Sequence, residues 1–293
     1  SSDLGNRNAV KWGPLEIGHL DDTQKIINLF QKYNPMAVVH LAAYAYVGES
    51  VERPDLYYRN NVVGTLSLLD AMKSVALKKI VFSSSCAVYG NPKNIPIDEE
   101  YSRQPENPYG ETKFMVEQIL EDYCRSFELE SVSLRYFNAA GADPEADIGE
   151  DHDPEPHLIP RAIKAALGEI EKIEIFGSDY DTRDGTAVRD YIHVSDLAVG
   201  HLASINYLLD NGSTTALNLG NERGYSVREI LACVESVTGN KVPIKEASRR
   251  QGDPAELIAN SSKARNLIAW NPQLSDIETI ISTAVKWQQR TSK

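Results

Sequence analysis

This sequence predicts an α/β fold, a doubly wound parallel sheet followed by a smaller C-terminal α/β domain, and three observations carry the prediction. Short apolar runs alternate with amphipathic helical patterns along the first half of the chain. The runs are almost continuously apolar, AVVHLAA at residues 37–43 and KKIVFSSS at 78–85, as strands buried on both faces must be. Their polar residues gather at the carboxyl ends, where an open α/β sheet binds its ligands.

The elements follow in order. Residues 21–33 (DDTQKIINLFQKY) open on Asp/Thr capping residues and repeat apolar positions at helical spacing, and Pro35 ends them. The strand at 37–43 comes next, then a long helical pattern over 55–75, then the strand at 78–85. Asn107 and Pro108 break the chain and start another helix, ENPYGETKFMVEQIL, which leads to a strand at 131–141 (SVSLRYFNAAG). Regular strand–helix alternation implies right-handed crossovers in one parallel sheet. After Gly141 the acidic, Pro- and Gly-containing ADPEADIGEDHDPEPH marks a boundary or long loop. Shorter elements follow: a helix at 158–167, a strand IEIFG, the acidic turn SDYDTRDGT, the stretch RDYIHVSDLAVGHLASINYLL, and helices near 227–238 and 277–288. The expected domains are 1–139 and 140–293, with roughly 187–210 returning to the first.

The chain of 293 residues carries a formal net charge of -12, which speaks against binding nucleic acid or an anionic membrane broadly but leaves room for a local basic pocket. No apolar run approaches the roughly 18 residues that span a bilayer. Its three cysteines, Cys86, Cys124 and Cys233, lie far apart and lack CxxC spacing, so neither a disulfide scaffold nor a zinc site is expected of them. A cytoplasmic protein of a reducing compartment is the reading. His152, Asp153 and His157 in DHDPEPH match no metal signature, and no metal is expected.

Chemistry gathers at the start of the second long helix. Tyr109 and Lys113 stand four apart and therefore on one face. An ammonium beside a phenol favours phenolate over phenol, lowering the Tyr pKa from about 10. A Tyr so tuned takes a proton from an alcohol near neutral pH, and Ser85, at a strand end, is placed to hydrogen-bond the same alcohol. A bare Tyr-x-x-x-Lys in a chain with 14 tyrosines is weak evidence. Its position at consecutive strand ends of a doubly wound sheet strengthens it.

HLAAYAYVGES, VFSSSCAVYG, NPYGETK, LRYFNAAGA, FGSDYDTRDGTAVRDYIHVSDLA and RRQGDPAELIANSSKA resemble, in order, the signature stretches of the UDP-glucose 4-epimerase family of extended short-chain dehydrogenases/reductases, whose first domain is Rossmann-type. The resemblance runs nearly the whole chain. It implies an NAD-dependent epimerase that interconverts UDP-glucose and UDP-galactose through a 4-keto sugar. Tyr109 is then the base, Lys113 its tuner and a ribose ligand, and Ser85 the group that orients O4. The resemblance also implies an NAD site of His19, Leu20, Leu41, Ala42, Asn60, Ser83, Tyr109, Lys113 and Tyr136. For the UDP-sugar it implies Phe137 and Asn138; His157 and Leu158 at a helix start that suits a diphosphate; Phe176 beside the uracil; Arg189 and Arg250 on the diphosphate; Asp253 on a ribose hydroxyl; and Leu257. It further implies a homodimer built on two helices per subunit, those at 55–75 and bearing Tyr109.

The chain departs from the family in places. The family begins with strand–GxxGxxG–helix–strand, and about one βαβ piece, on the order of 30–40 residues, is expected before Ser1. A Gly-Asp-(Ile/Leu) step that meets the adenine reads Gly18-His19-Leu20 here. Ala45 stands where some relatives carry Lys, and Leu257 stands where some epimerases carry Tyr, so a widened sugar pocket is expected. The alternatives are another nucleotide-sugar epimerase or decarboxylase of the family, acting on UDP-GlcNAc, UDP-xylose/arabinose or UDP-glucuronate, or a non-catalytic UDP-sugar-binding module. A 4,6-dehydratase is disfavoured because the place of its acidic pair reads Cys86-Ala87.

Overall fold

Asp22 opens the first helix because its carboxylate accepts the backbone N–H of Lys25 at 3.0 Å, one of the donors that a helix start leaves unpaired. That helix, α1 (Thr23–Tyr33), ends where Asn34 turns left-handed and its N–H caps the Phe30 carbonyl. The computed structural model describes residues 7–250 and 252–291.

Strand β1 is Val38–His40, shorter than the apolar run, and beyond it the Tyr44 N–H donates to the Asn61 side chain. The expected helix over 55–75 is three pieces preceded by a short helix, α2 (Val47–Glu52). They are α3 (Pro54–Tyr57), a π-helical segment Tyr58–Val63 and α4 (Gly64–Ser74). A π segment inserts one residue into the helical ladder and re-aims its side chains. The re-aimed Asn61 accepts the Tyr44 N–H at 2.8 Å and donates to the Tyr44 carbonyl at 3.1 Å and to Thr112 Oγ1 at 3.1 Å. Those bonds offset the irregular ladder.

Then come β2 (Lys79–Ser83), a 3₁₀ turn at Cys86–Tyr89, α5 (Pro108–Phe127) and β3 (Glu130–Tyr136). The strand expected over 131–141 breaks at Phe137, whose N–H donates to the Leu219 carbonyl at 3.3 Å. Its second part is β4 (Asn138–Ala140), and α6 (Leu158–Ala166), β5 (Ile173–Phe176), β6 (Val188–His193), α7 (Val194–Leu209) and β7 (Thr215–Leu219) follow. The chain closes with β8 (Gly224–Ser226), α8 (Val227–Thr238), β9 (Ile244–Ala247), β10 (Glu256–Leu257), α9 (Ser262–Ile268) and α10 (Ile277–Thr291). Among the described residues no helix is long and apolar enough to cross a membrane.

Two compact units result. The first holds the chain through Gly90, Glu100–Arg135 and His201–Leu217. Its sheet runs β1-β2-β3-β7, with β2 parallel to both neighbours. Leu68, Leu69 and Met72 of α4 and Val116 and Leu120 of α5 bury themselves with Ile80 and Phe82 of β2. At about 1.5–3 kcal/mol per side chain, three such residues on α4 outweigh the roughly 1 kcal/mol that Gly64 costs a helix.

The second unit holds Asn91–Glu99, Tyr136–Gly200 and the chain from Asn218 onward. Its sheet runs β10-β6-β4 with β8 antiparallel to β6, and β5 pairs with β9 separately. Ile159 and Ile163 of α6, Ile230 and Val234 of α8, and Ile280 and Ile281 of α10 share one core. Buried Asp190 on β6 accepts the N–H groups of Asn221, Glu222 and Ala259 at 2.7, 3.0 and 3.1 Å, which ties two loops to the strand.

Candidate active site

In the first unit, three segments bring polar side chains to the carboxyl end of the sheet. After β2 the chain runs Ser83-Ser84-Ser85. Ser83 Oγ lies 2.9 Å from His201 Nε2, and Ser84 Oγ donates to Glu117 Oε1 at 2.5 Å. Ser85 Oγ accepts the Ala87 N–H at 3.1 Å as cap of the 3₁₀ turn, which fixes the oxygen and leaves its hydrogen for another partner. Asn107 caps α5 through its Oδ1 and the Gly110 N–H, 2.9 Å apart, so Tyr109 sits in the first turn. Gly110 allows this approach: a Cβ there would stand 2.6 Å from the Ala87 carbonyl.

Lys113 follows one turn on. Its Nζ donates to the Ser83 carbonyl at 2.7 Å and lies 5.8 Å from the Tyr109 ring centre and 5.0 Å from that of Phe82. The side chain is 4 % exposed and, among the described residues, forms no ion pair with a carboxylate. Burial pushes its pKa down to about 7, against a smaller upward pull from Glu117. The site thus holds a desolvated ammonium whose field acts through little water. His40, buried at the end of β1, is pushed down to about 3 by burial and then by Lys113. Thr65 spends its hydrogen on the Asn61 carbonyl at 2.5 Å, so the neutral His40 donates from Nε2 to Thr65 Oγ1 at 2.8 Å.

The other residues implied for the cofactor are placed as follows. Leu41, just past β1, is 60 % exposed. Ala42 is half-buried beside it, and Asn60 donates to Asn61 Oδ1 at 3.0 Å from within the π segment. His19 is exposed and its carbonyl accepts the Asp22 N–H, whereas Leu20 packs into the core. Tyr136 is the last residue of β3.

In the second unit the residues implied for the UDP-sugar form two groups. Arg250 lies over Phe176, guanidinium carbon to ring centre 3.9 Å. Arg189 Nη2 binds Asp253, and Arg189 stands in register with Leu257 on the neighbouring strand. Tyr180, 6 % exposed, lies close enough to Asp253 and Arg189 to feel both charges, and its hydroxyl has no hydrogen-bond partner among the described residues. Burial drives its pKa up. An orphaned buried hydroxyl beside a guanidinium fits a polar ligand. His157 stands at the N-cap position of α6 without a side-chain capping bond, Leu158 opens the helix, and Phe137 precedes Asn138, the first residue of β4.

The UDP-glucose 4-epimerase of Rhizobium leguminosarum bv. trifolii is 48% identical to this chain over 289 residues, 99% of this chain and 88% of that protein. This chain belongs to the UDP-glucose 4-epimerase family. The broader family described as GDP-mannose 4,6 dehydratase also matches residues 7–283. Among solved structures, the UDP-glucose 4-epimerase of Brucella ovis in complex with NAD superposes with a TM-score of 0.94 at 48% identity, covering 96% of this chain and 87% of that one. The UDP-glucose 4-epimerase of Bifidobacterium longum, in complex with NAD+ and UDP, gives 0.90 at 41% identity, covering 94% and 83%. The fold is therefore the Rossmann-type fold of the 4-epimerases.

Sequence reasoning about this 4-epimerase relative passed over one buried network. Glu117, on the Tyr109–Lys113 face of α5, is 2 % exposed and receives Arg135 Nη2 at 2.7 Å, Arg135 Nε at 3.0 and 3.2 Å, and Arg103 Nη1 at 3.2 Å. Arg135 also donates to the Tyr89 hydroxyl at 2.9 Å. Burial works against the Arg135 charge, and Glu117 more than restores it, so the guanidinium is held above its usual range. The available signal was the repeat of four: Tyr109, Lys113, Glu117, Glu121.

The low Lys113 pKa has a consequence for stability. Below pH 7 the ammonium is charged in folded and unfolded chains alike. Between about 7 and the ordinary 10.5 the unfolded chain holds a proton that the folded chain has lost. Stability therefore rises with pH across that window, with a slope of at most about 1.4 kcal/mol per pH unit. In urea titrations of the wild type and Lys113→Met between pH 7 and 10, the variant is expected to show the flatter dependence. Equal slopes would mean that the ammonium is not desolvated.

Proposed function

We propose that this chain interconverts UDP-glucose and UDP-galactose with NAD, the first unit carrying the chemistry and the second holding the UDP. The observation that carries the reading is the set Ser85, Tyr109 and Lys113 at one strand end, with Lys113 buried and bonded to the Ser83 carbonyl.

The residues fit the cofactor. Lys113 spends one of its three N–H donors on Ser83, which leaves two for ribose hydroxyls. Exposed Leu41 offers an apolar face to a flat ring, and Asn60 adds an amide. No GxxGxxG occurs in the chain, so the residues assigned here serve the ribose and ring ends of the dinucleotide. NAD bound there would supply a reversible hydride acceptor for C4 of the sugar.

Tyr109 Oη takes the proton of the C4 hydroxyl as the carbonyl forms and returns it as the hydroxyl re-forms. Lys113 stabilises the phenolate meanwhile. Ser85 donates to the sugar oxygen in both configurations, since the Ala87 N–H already occupies its acceptor side. Arg189, Arg250 and the start of α6 hold the diphosphate, Asp253 and Tyr180 hold polar groups of the nucleoside, and Phe176 stacks on the base. Arg250 now covers one face of that ring, so the base takes the other face or displaces the guanidinium. The phosphates then supply the charge that Arg189 finds in Asp253.

Cys86 and Ala87 support epimerisation over dehydration, since neither supplies the carboxylate that the acidic pair of a 4,6-dehydratase provides. The three free cysteines support a reducing, cytoplasmic setting. Exposed Val47, Val51 and Val63 beside α3 and the π segment support a homodimer formed through these helices.

The test is conversion of UDP-galactose to UDP-glucose by the protein expressed from its natural start codon. Turnover is expected. Turnover of UDP-GlcNAc or UDP-xylose without UDP-galactose would move the reading to another sugar. Tight UDP binding without any turnover would leave a binding module.

A further inference from the structure

The acidic loop entering α6 brings four metal-ligating side chains of the second unit together. Glu150, His152, Glu155 and His157 each offer one ligand atom, and the four atoms lie within 4.8 Å of one another. His152 Nδ1 stands 3.0 Å from Glu150 Oε1 and 3.5 Å from Glu155 Oε2. His157 Nδ1 stands 2.5 Å from Glu150 Oε1 and 3.2 Å from Glu155 Oε1. The two imidazole ring centres lie 5.3 Å apart with the rings tilted at 55°.

Hydrogen bonding alone accounts poorly for this arrangement. Each Nδ1 carries at most one hydrogen, yet each confronts both carboxylates. A cation drawn in between them would give all four side chains one common partner, with the ligand atoms closing in from their present spread of up to 4.8 Å. Tetrahedral Zn²⁺ with bonds of 2.0–2.2 Å sets neighbouring ligand atoms about 3.3 Å apart, and three of the four N···O separations already lie between 3.0 and 3.5 Å. With neutral imidazoles, the two carboxylates also leave a formal charge that a divalent ion balances.

The loop is braced for the task. Trp287 of α10 donates its indole N–H to the Glu150 carbonyl at 2.8 Å and packs on Gly149, where a Cβ would stand 2.3 Å from the ring. Lys286 and Arg290 hold the carbonyls of Pro144 and Ala146 at 2.6 and 2.8 Å. Glu155 Oε1 accepts the His157 N–H at 2.8 Å, so one carboxylate is aimed by the backbone itself. The site is open on one side, where the His157 side chain is 52% exposed, which gives an ion its way in.

We infer that Glu150, His152, Glu155 and His157 form a binding site for a divalent transition metal, Zn²⁺ by preference for two imidazole nitrogens and two carboxylate oxygens. The ion staples the loop to the first turn of α6. His157 also stands at the helix start assigned above to the diphosphate, so the test reads metal binding directly and needs no turnover.

Metal-free protein is titrated with Zn²⁺ against a chromogenic chelator, and with Co²⁺ in the visible range. One equivalent of Zn²⁺ is expected to bind, with a raised thermal midpoint and the intense d–d bands of four-coordinate Co²⁺ without thiolate charge transfer. His152→Ala and Glu155→Gln are each expected to weaken binding at least tenfold. Glu150→Gln, whose amide keeps the shape, covers the case in which one of those variants fails to fold. Substoichiometric binding at micromolar metal, thiolate bands that point to the cysteines, or full affinity in folded His152→Ala and Glu150→Gln would each overturn the site.

Discussion

Tyr109→Phe is expected to lower the turnover of UDP-galactose about 10²–10⁴-fold, the range a positioned acid–base group contributes, with little change in UDP-sugar affinity. The substitution removes one oxygen from a half-buried ring and leaves its packing in place. The loss therefore reads as chemistry. Affinity should hold because the residues assigned to the diphosphate and base lie in the second unit. A companion variant separates base from tuner. Lys113→Met keeps the phenol but removes the ammonium, so its residual rate should climb with pH until the untuned phenol, near 10, ionises. Tyr109→Phe has no group to ionise there and should stay flat. Wild-type turnover in Tyr109→Phe would remove Tyr109 as the base and return the question to Ser85 or a group outside this set.

How far this site was legible depended on whether its parts were near in sequence. Tyr109 and Lys113 announce themselves because Asn107-Pro108 fixes where α5 starts, and a spacing of four fixes the face. Glu117 continues the same spacing, yet a carboxylate in a helical pattern ordinarily reads as a solvated face. Its partner Arg135 belongs to β3, and only the fold brings the two together. The π segment was hidden for a different reason. One inserted residue leaves the apolar spacing of 55–75 almost unchanged, and the bonds of Asn61 to Tyr44 and Thr112 join residues 17 and 51 apart. The break at Phe137 was hidden because LRYFNAAG stays apolar while the strand changes partner from β2 to β6. In DHDPEPH the spacing alone suggested no metal, since convergence of the two histidines on Glu150 depends on how the loop folds back against α10.

The Glu117–Arg135 pair is where stability and activity should separate. Arg135→Met strands a carboxylate that is 2 % exposed, with Ser84 and the partly exposed Arg103 left to it among the described residues. Breaking one side of a buried pair costs about 3–5 kcal/mol. Part of the Arg103 contribution is already lost to solvent and to Glu121. The double variant Glu117→Leu/Arg135→Met removes both charges and should recover most of that loss, because well-packed apolar replacement of a buried pair is often neutral. Catalysis should not recover with it. Ser84 Oγ loses its acceptor, the neighbouring Ser85 loses the anchor that holds the strand end, and Lys113 loses the one carboxylate that raises its pKa. Urea unfolding and turnover measured on the same samples check this: a stable double variant with a depressed kcat is the expected pattern. If kcat returned along with stability, the network would be a packing device, and the orientation of Ser85 would have to come from the Ala87 N–H alone.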